Sequence, residues 1–122
     1  ILELESDTRI NWDEIELQFI KDLTTKTIDE MEYSDGLIER FAQNWELDRI
    51  ALIDRILLRM AVAELIHFVE IPTKVTINEY IDLAKSYSTQ QSGQFLNGIL
   101  DSIHKDLQAA GKIKKVEFKK QS

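Results

Sequence analysis

A single proline, Pro72, and four glycines punctuate this 122-residue chain. A β-rich chain of this length needs turn residues roughly every 8–12 positions, so such scarcity points to helices. The apolar residues agree. Trp12, Ile15, Phe19, Leu23 and Thr27 recur at helical spacing behind Asn11, an N-cap with Glu14 three residues on, which predicts a helix over 12–32. Ser34 caps a short second helix bearing Leu37, Ile38 and Phe41, and Trp45 plugs the space after it. Asp48 caps a third helix over 49–69, striped by Ile50, Ile53, Leu57, Met60, Ala61 and Phe68. Leu52, Ile56, Leu58, Val62 and Ile66 widen that stripe, the mark of a central helix.

Ile71-Pro72 breaks the chain, because proline drives its predecessor out of the helical region. A fourth helix then runs to Tyr87, with Thr76-x-x-Glu79 read as its capping box. Ser88-Thr89 opens a fifth, striped by Phe95, Leu96, Ile99, Ile103 and Leu107 and stopped at Gly111. The fold class is therefore all-α, a compact helical bundle of about five helices. One domain is placed at 12–111, between a flexible lead-in at 1–11 and a frayed lysine-rich tail at 112–122.

Charge narrows the partners. The net charge is −7, but the distribution is uneven. Up to Glu70 there are 17 acids and 7 bases; from Ile71 there are 5 acids and 8 bases. Non-specific nucleic-acid affinity comes from neutralised phosphates, so any RNA contact must be local. Cysteine is absent, which removes disulfides, thiolate catalysis and Cys-based zinc sites. His67 and His104 stand alone, and no phosphate loop, GxSxG or HExxH pattern occurs. No catalytic residue, metal or cofactor is assigned. No apolar run reaches membrane-spanning length, and a reducing, cytoplasmic compartment is expected.

Five blocks then stand in order. They are Asn44-Trp45-Glu46-Leu47-Asp48-Arg49-Ile50; Asp54-Arg55-Ile56-Leu57-Leu58-Arg59-Met60-Ala61 with Ala63-Glu64-Leu65; and Ile71-Pro72-Thr73-Lys74-Val75-Thr76-Ile77-Asn78-Glu79. Leu83-Ala84-Lys85-Ser86-Tyr87 and Phe95-Leu96-Asn97-Gly98-Ile99-Leu100-Asp101 follow. Their order and spacing resemble the NusB family of transcription antitermination factors. That resemblance implies a bacterial, non-enzymatic protein of two helical subdomains. It implies binding of boxA-type RNA together with NusE, a small-subunit ribosomal protein, within a transcription elongation complex and chiefly in ribosomal RNA operons. Family members begin with an arginine-rich helix that contacts RNA. None precedes Trp12, so the chain reads as the carboxy-terminal portion of such a protein. Two other readings stand beside this one: the NusB-like domain of a ribosomal RNA cytosine methyltransferase, and a module that binds only protein.

Individual residues follow. Glu64 lies within the apolar stripe of the third helix, where an unpaired carboxylate is costly. Either it accepts hydrogen bonds from backbone N–H groups after Pro72, or it faces a basic residue of the protein partner. Phe95 sits at the margin of its stripe, to pack in the core or to stack on an unpaired base. Gln91 and Gln94 are placed to read base edges, although relatives are often acidic at the position of Gln91. Lys85 shares a polar face with Asn78 and Asp82, to pair with Asp82 or to reach a phosphate. Gly98, costly in mid-helix by roughly 1 kcal/mol, is expected under a closely packed neighbour.

Overall fold

The computed structural model describes residues 13–42 and 50–115. Asn11, Trp12, Trp45 and Asp48 lie outside that range, as do the first motif block up to Arg49 and the tail from 116. The described residues form five α-helices and no strand: α1 Glu14–Asp29, α2 Met31–Phe41, α3 Leu52–His67, α4 Thr73–Tyr87 and α5 Gln90–Ala109.

Local chemistry sets the ends. Asp13 caps α1, its Oδ1 accepting the Glu16 N–H at 2.7 Å. Only Glu30 separates α1 from α2, so the second helix begins before Ser34, the cap expected for it. Ser34 is instead fully buried inside α2. Pro72 occupies the N-cap position of α4, and its carbonyl accepts the Thr76 N–H at 3.1 Å. The proposed capping box from Thr76 is therefore one turn too late; the Thr76 hydroxyl is used elsewhere. Thr89 caps α5 as expected, taking the Ser92 N–H at 3.0 Å. Gly111, at φ +72°, closes α5 while Lys112 N–H reaches the Leu107 carbonyl at 2.9 Å.

α3 is the central element. Asp54, Leu57, Leu58, Ala61, Val62, Ala63, Glu64 and Leu65 are all buried on it, against α4 and α5 and with α2 alongside. Leu96, Leu100, Ile103 and Leu107 of α5 are fully buried and complete the cluster with Leu37, Ile38, Tyr80 and Ala84. α1 differs. It touches α3 through edge-to-face packing of Phe19 on Phe68, yet buries no residue, and Ile15 is 81% exposed. A cleft of about 470 Å³ lies there, lined by Phe19, Asp22, Lys26, His67, Phe68, Val69, Glu70 and Ile71.

The start of the lysine-rich tail is docked rather than frayed. Lys112 lies 4.5 Å above the Tyr33 ring, Ile113 packs on the core, and Lys115 Nζ donates to the Glu64 and Phe68 carbonyls at 2.9 and 2.6 Å. The Glu64 carbonyl also accepts the Phe68 N–H and the Phe68 carbonyl the Ile71 N–H, so the lysine adds a second, charged donor to each and complements the helix dipole. Lys115 thus fastens the end of the chain's helical domain to α3.

Candidate nucleic-acid interface

The predicted RNA-binding residues gather where α4 ends and α5 begins. Three helix ends meet there, and a polar network joins them. Ser92 Oγ donates to Asp54 Oδ2 at 2.7 Å and lies 2.9 Å from Ser88 Oγ, while the Thr89 hydroxyl donates to it at 3.1 Å. Asp54, in the first turn of α3 and 5% exposed, is the buried anchor. A carboxylate there also faces the positive end of its own helix.

Lys85 crosses this junction. A Cβ added at Gly93 would lie 2.6 Å from Lys85 Cγ and 2.9 Å from its Cε. The absence of a side chain at Gly93 therefore lets the lysine stem lie flat on α5, while the residue as a whole stays exposed. Among the described residues Lys85 forms no ion pair, so the pairing with Asp82 is not made. Gln91, Gln94 and Gly98 are exposed at spacings of three and four, one row along the outer face of α5. Around the helix the order runs from Gly93 under Lys85, through Gln94, to Gln91 and finally Phe95. Phe95 departs from the rim placement: it is 8% exposed and belongs to the core cluster. Its distance from the stripe's centre is made up by the neighbouring helices, which cover that margin of α5.

Gly98 also departs from expectation. Nothing lies within 4 Å of a Cβ built there, so no neighbouring helix requires the glycine. Gly93, which the sequence reading passed over, is the one with a packing reason. The signal was its place one turn after the Ser-Thr cap, where α4 must pass close to α5.

The electrostatics are local. Residues 83–100 contain no Asp or Glu. The first carboxylate beyond them on α5, Asp101, is partnered by Lys105 at 3.0 Å. In a chain of net charge −7, this is a stretch that does not repel phosphates.

Glu64 lies away from this surface, toward the other end of α3. It is 6% exposed, and its two oxygens accept from Thr76 Oγ1 at 2.9 Å and Tyr80 OH at 2.8 Å. The donors are side-chain hydroxyls of α4, not the backbone N–H groups expected. Burial, reinforced by the charge of Glu64 and the hydrogen bond to it, pushes the Tyr80 phenol far above its usual range. His67, in the last turn of α3, holds Glu30 at 2.7 Å across the α1–α2 break. No group of three or more metal-ligating side chains forms among the described residues, and no helix there is long and apolar enough to cross a membrane.

Comparison with known proteins gives one answer. The model of the NusB family matches residues 2–105. Transcription antitermination protein NusB of Salinibacter ruber is 50% identical over 97 residues, covering 80% of this chain and 61% of that protein. The chain thus spans about three-fifths of that curated relative's length. A crystal form of T. maritima NusB superposes with TM-score 0.73 at 38% identity, covering 78% of this chain and 67% of that one. A chain in the crystal structure of a plectonemic RNA supercoil superposes with TM-score 0.74 at 28% identity, covering 82% of this chain and 72% of that one.

Proposed function

The chain belongs to the NusB family, and from that premise we propose that it acts in transcription antitermination as a non-enzymatic RNA- and protein-binding scaffold. Its ligands in this reading are a boxA-type single-stranded RNA and NusE, engaged in the cytoplasm on a transcription elongation complex, chiefly at ribosomal RNA operons. The relatives' function supports the first part, and a structural neighbour from an RNA crystal structure supports RNA as the ligand. The single observation in this chain that carries the reading is the α4–α5 junction. There an acid-free stretch presents a lysine whose stem lies in the room left by Gly93, and a row of neutral hydrogen-bonding side chains.

The roles divide by chemistry. Lys85 supplies the phosphate contact, and Gln91 and Gln94 have amides able to donate to and accept from base edges. Phe95, at the far margin, is buried in the core and supports the outer face from beneath. Gly98 leaves open space in the same row, which admits a close approach of RNA. Glu64 positions α4 against α3 through Thr76 and Tyr80, and any effect on the protein partner passes through that packing.

Titration of a boxA-like and a scrambled single-stranded RNA, read by fluorescence anisotropy at several salt concentrations, tests this. Preference for the boxA-like RNA is expected. Lys85→Gln should weaken both RNAs and flatten the logarithmic salt dependence by about 0.7, the share of one phosphate contact on a single strand. Equal affinity for both RNAs, with Lys85→Gln indistinguishable from the parent, would remove the junction as the recognition surface.

A further inference from the structure

The corner between α4 and α5 is tied from beneath by Ser92, whose hydroxyl donates to buried Asp54 and meets the hydroxyls of Ser88 and Thr89. Tyr87, the last residue of α4, stands on that corner. It is 72% exposed, more than any other aromatic among the described residues. It forms no hydrogen bond, ion pair or ring contact with them. One turn earlier, Ala84 is fully buried and ends the part of α4 that packs in the core. A large flat ring is thus left in water on a corner whose backbone is tied by that network.

We propose that Tyr87 is a stacking platform for an unpaired base of single-stranded RNA. This rests on the RNA-binding reading above and supplies what that reading lacks, since the aromatic expected to stack, Phe95, is folded into the core. Three features favour a base as the occupant. Tyr87 lies inside the acid-free stretch 83–100, so phosphates flanking the base meet no carboxylate in that stretch. Gln90 and Gln91 are exposed in the first turn of α5, where amides can meet the edge of a stacked base. The fixed corner means that little ordering is needed on binding, which is what makes a stacking contact effective. Lys85 is two positions away on the helix and faces a different side. The ring therefore contributes by stacking, not as an adjunct of the lysine's charge.

Stacking tolerates any base, so its loss should weaken specific and scrambled RNA alike. The test is anisotropy with both fluorescein-labelled RNAs on Tyr87→Ala, Tyr87→Leu and Tyr87→Phe. Loss of the aromatic face, in Tyr87→Ala and Tyr87→Leu, should weaken each RNA about tenfold, with Tyr87→Phe within about twofold of the parent. The salt dependence and the melting temperature should match the parent in all three. Tyr87→Ala binding as tightly as the parent overturns the proposal, and so does Tyr87→Leu matching Tyr87→Phe, which would make the contact merely apolar. A parent chain that binds neither RNA defeats the RNA-binding reading itself and this inference with it, a result visible before any variant is compared.

Discussion

Glu64 shows how one buried charge organises two helices. A carboxylate in an apolar stripe must be received, and here two hydroxyls from successive turns of α4 receive it. Removing it leaves Thr76 and Tyr80 with buried donors and a void between helices. Glu64→Ala should therefore cost about 2–4 kcal/mol, read as a shift of the urea midpoint. Tyr80 makes the same contact sensitive to base. Its folded-state phenol is raised above the unfolded value, so the associated stability is complete below about pH 10 and is lost as pH rises toward the folded value. Denaturation series from pH 8 to 11 should show this decline in the parent and a shallower one in Tyr80→Phe; parallel declines would mean that Tyr80 is not its source. The need for a partner was legible at Glu64, because the carboxylate interrupts a continuous apolar stripe. The identity of the donors was not, since Thr76 and Tyr80 come from another helix and read as ordinary members of its own pattern.

Among the elements, α5 carries both the core and the candidate interface, on opposite faces, and its two helical glycines differ in environment. Gly93 is covered by Lys85, whereas Gly98 faces open space. Gly98→Ala should therefore stabilise the chain by about 1 kcal/mol through helix propensity alone, while weakening RNA binding if RNA approaches that row. Thermal melting and anisotropy on the same variant read the two effects. A variant that is both more stable and equally tight would leave Gly98 without a role in binding. Lys115 acts on α3 from outside: Lys115→Ala should lower stability by about 1 kcal/mol through loss of contacts to two carbonyls of its last turns. An unchanged urea midpoint would mean that the strap contributes nothing. Local signals served well here, since the Thr89 cap, the Pro72 break and the Gly111 stop depend only on neighbouring residues. Non-local ones did not. The margin of α5 that hides Phe95, and the exposure of Ile15 among the described residues, are set by which helix lies alongside.

As a whole molecule, the chain is an acidic helical bundle in which residues 83–100, the end of α4 and the first half of α5, carry no acid. The five-helix architecture and the family were legible because breakers, stripes and ordered motif blocks all agree. The candidate interface was legible only as a region: Lys85, Gln91 and Gln94 come to the surface, while Phe95 turns inward and Tyr87 outward. The proposed scaffold would work by coupling, RNA and protein partner raising each other's affinity when held on adjoining surfaces. The most direct test is the dissociation constant for the boxA-like RNA, measured with and without saturating NusE, together with that for NusE with and without the RNA. The account predicts that each ligand tightens the other by the same factor, as linkage requires, and that a scrambled RNA gives no such gain. Affinities unchanged by the second ligand would contradict it.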